Sequence, residues 1–387
     1  MERLLEIRDR LLAVVAPLPG ERVALAEAEG RWLSREVAAA VAAPPDTCSA
    51  MDGFAVRAAE IEAGAVLRVG QTIFAGARPG PLAPGVADRI FTGAPLPSRA
   101  DAVVREEAVE LDGGRVRFRA PASPGENVRW AGEDVAAGGR ALEPGQRLGP
   151  RQLALLQAVG VGAVDVVRRP AIALLSTGDE VVTGRVPDSN GAALAGLLRD
   201  LGARVERAAI ADRVEDLRRE IGGALARCDA VVTVGGVSVG ARDHVPEALR
   251  ALGAEVLVHG VPMKPGKPFL FAMAAGRPAI CLPGSPAACL AAFEVFGRPA
   301  LLALAGAARR SRPTFRLRLA DPVSGRPGRA RLLWARLEPD GRARPVGRDA
   351  AQIRGPALAD LLLLVPSDAG DLPAGAEVTA WSLADGP

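Results

Sequence analysis

Short apolar runs alternate with amphipathic stretches through the middle of the chain. The apolar runs suit buried strands, and the stretches between them repeat apolar residues at helical spacing. The predicted strands are 172–175, 204–211, 229–234 and 278–282, and the predicted helices are 192–201 and 214–227. Because strands that alternate with helices form a parallel sheet covered on both faces, we expect residues 169–308 to be an α/β domain.

The rest of the chain predicts two β-rich regions and a helical one. Short strands divided by Gly and Pro predict a small inserted β domain at residues 43–137 and a C-terminal β domain at residues 309–387. Helical spacing occurs in residues 3–15, 25–37 and 151–159. We therefore expect residues 1–42 and 138–168 to form a discontinuous helical or linker domain. The predicted fold class is multidomain α/β plus β, with the parallel-sheet domain in the centre.

Composition narrows the possible functions. The 387 residues exceed the size at which one core stops growing, so several domains are expected. The 48 Lys and Arg residues nearly balance the 45 Asp and Glu residues, without a long basic run, which argues against nucleic-acid binding. The four cysteines and two histidines lack paired spacing, which argues against structural zinc. With no signal-peptide pattern and no long uninterrupted apolar window, we expect a cytoplasmic protein without a membrane span.

Small and polar residues follow each predicted strand of the α/β domain. Ligands in such sheets bind outside the carboxyl ends of the strands. The candidate residues there are Ser176, Thr177, Gly178, Asp179, Glu180, Asp212, Gly235, Gly236, Ser238, Asp243, Pro283, Gly284 and Ser285. Glycines let backbone N–H groups approach an anion, and carboxylates can hold a divalent cation that bridges phosphates. We therefore expect one crevice for a phosphate-bearing ligand with Mg²⁺.

A stiff loop at residues 261–268 carries Lys264 and Lys267 between prolines, which suits a fixed anion clamp. Each feature also has a purely structural interpretation. Gly235 and Gly236 fit a tight strand-to-helix turn, Asp179 and Glu180 fit the start of a helix, and the lysines fit a solvated surface.

Three further loops place polar residues next to glycine, outside the α/β domain. They contain Asp52, Thr92 and Asp134. Each loop alone is an ordinary turn, and the residues by themselves do not bring these side chains to the crevice.

Taken in order, the segments resemble the molybdopterin molybdenumtransferase family, the MoeA type that includes the E domain of gephyrin. The resemblance extends over nearly the whole chain. It rests on seven groups of residues: 51–57, 92–97 with 100–104, 132–134, 176–180, 188–190, 235–240 with Asp243, and 264–268.

The resemblance implies an elongated four-part protomer in a homodimer. Its active site would lie between the α/β domain of one subunit and the inserted β domain of the other. The implied reaction is Mg²⁺-dependent insertion of molybdate into adenylylated molybdopterin, giving molybdenum cofactor and AMP. Transient contact with other proteins of this pathway is also implied.

On this basis we assign roles to the candidate residues. The catalytic residues would be Asp179, Glu180, Asp243, Lys264 and Lys267. The metal ligands would come from Glu180, Asp212 and Asp243, with the division among them open. The substrate-binding residues would be Asp52, Thr92, Asp134, Ser176, Thr177, Gly178, Asn190, Gly235, Gly236, Ser238, Pro283, Gly284 and Ser285.

The chain departs from the family pattern at the ligand edge. Ser285 stands where the family often has Asn, Gly191 stands where an Arg is common, and the loop from Glu180 to Asp188 is short. The departures leave open a molybdopterin-binding or scaffold protein without turnover. A second alternative is that the α/β part carries out the preceding adenylylation of molybdopterin, because adenylylating and inserting domains of this pathway resemble each other. The sequence does not distinguish molybdate from tungstate.

Overall fold

A six-stranded sheet forms the centre of the protein in a computed structural model that describes residues 2–238, 243–325, 328–347 and 352–384. Its spatial order is Arg204–Ile210, Ala171–Thr177, Ala230–Val234, Arg277–Leu282, Leu270–Ala274 and Glu255–His259. The first four strands are parallel, and the last two pair antiparallel. The α/β fold is confirmed, but the sheet is mixed rather than wholly parallel. The sheet is mixed because only Ala275 and Gly276 separate Leu270–Ala274 from Arg277–Leu282, and such a two-residue turn joins antiparallel strands.

Helices cover both faces of this sheet. The helices of the region are Asp179–Val182, Ser189–Asp200, Val214–Arg227, Val245–Ala251, Pro286–Ala292 and Arg298–Leu304. The predicted helix 214–227 has the bounds seen in the structure. The N-terminal helix Glu2–Ala13 also belongs to this packing, because Leu4 and Leu11 are buried in the central core.

The predicted helix 25–37 is wrong. One 3₁₀ turn, Leu25–Glu27, is followed by Gly30 at φ +73°, a left-handed conformation that interrupts a right-handed helix. Two small antiparallel sheets form the region instead, pairing Gly20–Ala24 with Ala163–Val167 and Val37–Ala38 with Arg140–Leu142. Leu25, Ala28 and Leu33 of the predicted helix are buried in a small core, but turns and β-bridges position them rather than a helix. The helix at 151–159 is confirmed as Pro150–Ala158.

The inserted β region is a six-stranded sheet with a short additional pair. Its order is Ala102–Arg105, Gly53–Val56, Val86–Ile90, Val66–Ile73, Arg115–Phe118 and Val109–Asp112. Cys48–Ser49 pairs with Val128–Arg129 beside it. Val66–Ile73 and Val86–Ile90 are parallel, so both strands end at the same edge of the sheet.

The C-terminal β sheet includes one short strand that belongs to the central domain in sequence. The sheet has the order Met263–Lys264, Ala330–Leu337, Leu361–Val365, Glu377–Ser382 and Thr314–Arg318, and Ala343–Pro345 pairs with Ala330–Leu337. Met263–Lys264 joins in parallel, with Lys264 opposite Arg331. The lysine loop is therefore attached to the C-terminal sheet.

One continuous helical run in the described part of the chain, Pro286–Leu304, is long and apolar enough to cross a membrane. Inside the protein 89% of its most apolar window is buried, which is typical of a core helix.

A buried ion pair joins this core helix to the C-terminal region. Arg312 donates from Nε and Nη2 to the two carboxylate oxygens of Glu294, at 2.9 and 3.0 Å. Both side chains are 4% exposed. Arg312 also donates to the backbone carbonyl of Leu383 at 3.3 Å, so one guanidinium holds the two regions together.

We expect Arg312→Ala to lower the free energy of unfolding by about 3–5 kcal/mol, because it leaves the Glu294 carboxylate buried without its main cation. Urea denaturation followed by tryptophan fluorescence measures this change. Arg309→Ala, an exposed neighbour, is the control and should change stability by less than about 0.5 kcal/mol. Replacing both Glu294 and Arg312 with Met should cost less than Arg312→Ala alone. An unchanged urea midpoint for Arg312→Ala would contradict this role.

Candidate functional site

A crevice of about 560 Å³ lies at the carboxyl ends of the parallel strands. Arg204–Ile210 lies on one side of Ala171–Thr177, and Ala230–Val234 lies on the other. The order of the strands therefore reverses at Ala171–Thr177, and the loops that follow the neighbouring strands leave the sheet in opposite directions. The structure brings twelve of the candidate residues to this crevice. They are Ser176, Thr177, Glu180, Asn190, Asp212, Gly235, Gly236, Ser238, Asp243, Pro283, Gly284 and Ser285.

Two glycines form the floor of the crevice. Gly235 and Gly236 have φ values of +90° and +63°, which glycine adopts without strain. A Cβ on Gly235 would also lie 2.8 Å from Oγ1 of Thr177, and a Cβ on Gly236 would lie 3.0 Å from Val245. The segment is thus both a tight turn and part of the crevice lining. Residues 239–242, which complete the predicted glycine segment, lie outside the described residues.

Asp188 organises one wall of the crevice. It caps helix Ser189–Asp200 by accepting a hydrogen bond from the Gly191 N–H at 2.8 Å. Its other carboxylate oxygen accepts from Ser176 Oγ at 2.8 Å and from Arg207 at 3.0 Å. A Cβ at position 191 would overlap this carboxylate, so Gly191 is required for the observed arrangement. Sequence reasoning omitted Asp188 from the site, although an Asp directly before a helix is a recognisable cap.

Asn190 ties two walls of the crevice together. Its side-chain amide donates to the backbone carbonyl of Gly284 at 2.7 Å. The start of helix Ser189–Asp200 is thereby joined to the loop after strand Arg277–Leu282.

The acidic residues surround the crevice without forming a complete metal cage. Glu180, Asp212 and Asp243 line it, whereas Asp179 lies in the first turn of a short helix and accepts a 3.4 Å hydrogen bond from the Asp212 N–H. Gly178 precedes that helix with φ +142° and donates its N–H to the Ile210 carbonyl. Across the described ranges, no three His, Cys, Asp or Glu residues could hold a metal ion by themselves.

The two lysines do not line the crevice. Lys264 lines a second cavity of about 250 Å³ between the central domain and the C-terminal sheet, together with Ser324, Arg331 and Trp334. Lys267 is exposed and lines neither cavity. The pairing of Met263–Lys264 with the C-terminal strand places Lys264 at the second cavity, whereas Pro268 at the other end of the loop lines the crevice.

The two cavities share a wall. Pro265 and Ala287 line the second cavity, while Pro268 and Pro286 line the crevice. The same two segments, the lysine loop and the start of helix Pro286–Ala292, therefore separate an acidic, glycine-floored crevice from a basic cavity.

Composition sets the lysine loop apart from the rest of the chain. Lys264 and Lys267 are the only lysines in the sequence, and every other basic residue among the 48 is Arg. A lysine is a compact, strongly hydrated point charge, which Arg does not reproduce.

The candidate residues of the inserted β region do not line the crevice of the same chain. Thr92 donates to one oxygen of Asp52 from its N–H and its hydroxyl, both at 2.7 Å, and these two bonds lower the pKa of the Asp52 carboxyl. Asp134 accepts from Arg129 at 2.7 Å. Their contribution to a site across a subunit interface stays a prediction.

Comparison with known families covers most of the chain. Residues 3–160 match the MoeA N-terminal region (domain I and II), residues 173–303 match a "Probable molybdopterin binding domain", and residues 316–383 match the MoeA C-terminal region (domain IV).

Curated relatives and solved structures agree with this match. A molybdopterin molybdenumtransferase of Nostoc sp. is 37% identical over 335 residues, covering 82% of this chain and 77% of the relative. Molybdopterin molybdenumtransferase 2 of Mycobacterium tuberculosis is 35% identical over 382 residues, covering 93% and 94%. Two crystal structures of molybdopterin biosynthesis MoeA protein from Pyrococcus horikoshii align with TM-scores of 0.77 and 0.84, at 31% and 25% identity. The first covers 98% of both chains, and the second covers 98% of this chain and 99% of its own.

Three family matches in sequence order, relatives that span most of the chain and a matching fold lead to one conclusion: this chain belongs to the MoeA family of molybdopterin molybdenumtransferases, enzymes of molybdenum cofactor biosynthesis.

Proposed function

We propose that this enzyme inserts molybdate into adenylylated molybdopterin and releases AMP, in a reaction that depends on Mg²⁺. The observation that carries the proposal is the pair of adjoining cavities, one with a glycine floor and carboxylates and the other lined by two cations. The charged groups of the two substrates differ in a way that matches the two cavities. Adenylylated molybdopterin carries a phosphoanhydride, and molybdate is a tetrahedral dianion.

The crevice suits the phosphoanhydride. Gly235 and Gly236 let the ligand approach the backbone closely, and the hydroxyls of Ser238 and Ser285 are available as hydrogen-bond donors at its edge. Asp188 holds Ser176 in place on one side, and Asn190 holds the Gly284 loop on the other. The crevice is thus shaped before the substrate arrives, which lowers the cost of orienting its reacting groups.

The carboxylates of the crevice fit Mg²⁺ in the way this ion is usually bound. Proteins commonly hold it with one or two carboxylates and complete its coordination with phosphate oxygens and water. Glu180, Asp212 and Asp243 are the residues that would supply carboxylate ligands. Mg²⁺ bound there would act as a Lewis acid toward the charge on the phosphoanhydride.

The basic cavity suits molybdate. Lys264 and Arg331 line it from paired strands, and Ser324 adds a hydroxyl. Arg331 is held by Ser324, and a dianion between this guanidinium and the Lys264 ammonium is stabilised by both charges. Because this cavity shares a wall with the crevice, molybdate there would lie close to a pterin bound across that wall.

We further propose a homodimer in which Asp52 and Thr92 complete the crevice of the partner. In support of this, the Asp52–Thr92 pair is exposed on its own chain, and the two hydrogen bonds from Thr92 hold the pKa of the Asp52 carboxyl below its usual value.

Purified protein incubated with adenylylated molybdopterin, molybdate and Mg²⁺ should release AMP and form active cofactor. We expect Asp243→Asn to lower kcat by about a hundredfold or more, because the crevice loses a negative charge where the cation and phosphates meet. Glu255→Gln, an exposed carboxylate on the outer strand of the central sheet, is the matched control and should keep full activity. If the unaltered enzyme binds its substrate but releases no AMP, the function is binding without turnover. An Asp243→Asn variant as active as the parent would remove Asp243 from the mechanism.

Lys264→Ala should raise the KM for molybdate about tenfold or more and leave the KM for adenylylated molybdopterin within about twofold, because it removes a cation from the basic cavity only. Lys264→Arg keeps the charge but changes its shape and should restore activity only in part. Steady-state AMP release at varied molybdate concentration measures both variants. Equal increases in the two KM values would contradict separate binding places for the two substrates.

Mixing Asp52→Asn with Asp243→Asn, each inactive alone, tests the shared site. Random exchange of subunits should restore about a quarter of the parent activity, because half of the dimers are mixed and each mixed dimer has one intact site. Light scattering reports the oligomeric state of each sample. Mixtures that stay inactive although mixed dimers form would show that Asp52 and Asp243 act in the same chain.

A further inference from the structure

The inserted β region exposes an aromatic pair in a chain that has few aromatic residues. Six of the nine phenylalanines are at most 1% exposed, and the sequence has no tyrosine. Phe74, in contrast, is 59% exposed, and its neighbour Phe91 is half-buried.

The pairing of two strands creates this arrangement. Val66–Ile73 and Val86–Ile90 are parallel, with Ile73 opposite Ile90, so Phe74 and Phe91 follow at the same edge. Their rings are stacked, with centroids 4.9 Å apart and planes inclined by 6°.

A cation supports the stack. The Arg89 guanidinium lies over the Phe91 ring, 5.4 Å from its centroid, and is held by Glu106 at 2.8 Å. Phe91 thus contacts both Arg89 and Phe74 and is half-buried, so most of the exposed aromatic surface of the stack belongs to Phe74.

The stack lies beside the Asp52–Thr92 pair. Thr92 directly follows Phe91 in the sequence, and Asp52 directly precedes strand Gly53–Val56, whose first residue is paired with Ile90. The carboxylate, the hydroxyl and the aromatic pair therefore lie at one edge of the inserted sheet.

We propose that Phe74 and Phe91 form a stacking platform for the fused heteroaromatic ring of the substrate, either the pterin or the adenine of adenylylated molybdopterin. This inference rests on the proposed function and on the contribution of Asp52 and Thr92 to the site. One exposed phenyl ring can stack on one ring of a fused heterocycle, whereas a stable protein interface needs about 800 Å² from each partner. Parallel stacking on an open aromatic ring is how proteins commonly hold nucleobases and similar rings.

Phe74→Ala should raise the KM for adenylylated molybdopterin about five- to tenfold and leave kcat within about twofold, because stacking holds the substrate without touching its reacting bonds. Phe74→Trp should keep the parent KM, and Phe74→Leu, which is apolar but not aromatic, should resemble Phe74→Ala. Phe315→Ala is the matched control. It removes another exposed phenylalanine, 49% exposed in the C-terminal sheet, and should change nothing.

Calorimetric binding of AMP and of metal-free molybdopterin, measured separately under anaerobic conditions, identifies the ring. Weaker binding of AMP to Phe74→Ala assigns the platform to adenine, and weaker binding of molybdopterin assigns it to the pterin. Unchanged binding of both, with an unchanged KM, overturns the inference. So does a Phe74→Ala protein that loses its parent oligomeric state in light scattering, because the platform would then be a subunit contact. Failure of the proposed function is seen separately, as an unaltered enzyme that releases no AMP.

Discussion

Strand Ala171–Thr177 has Arg204–Ile210 on one side and Ala230–Val234 on the other, and this position sets the layout of the whole site. Loops that leave the sheet in opposite directions cannot cover the carboxyl end of the strand between them, so a crevice remains. The close contact of Thr177 with Gly235 then limits the next loop to glycine. Every other feature of the crevice, from the Asp188 cap to the Asn190 bridge, is built around this opening.

Much of the central domain could be predicted from local patterns. Buried parallel strands need apolar residues on both faces, so they appear in the sequence as short, nearly continuous apolar runs such as Ala230–Val234. The polar residues at the strand ends were also visible, because the carboxyl ends of parallel strands meet at one edge. The predicted helix 25–37 failed because one left-handed glycine, Gly30, outweighed an apolar pattern that also fits buried turns.

The position of Lys264 could not be predicted in the same way. It depends on the pairing of Met263–Lys264 with Ala330–Leu337. These segments lie far apart in the sequence, so the local pattern of apolar and polar residues does not predict that they pair. The role of Asp188 was hidden for a different reason. A capping aspartate is recognisable, but its contacts with Ser176 and Arg207 appear only when neighbouring strands are assembled.

Because the sequence has only two lysines, NMR of labelled lysine can report on the basic cavity. Lys264 and Lys267 carry the only side-chain amines in the chain, one at the cavity wall and one on an exposed turn. Enzyme grown with ¹⁵N-labelled lysine therefore contains two labelled ammonium groups, a reporter and its internal reference. Occupancy of the cavity can be followed through them in the intact enzyme, without any substitution.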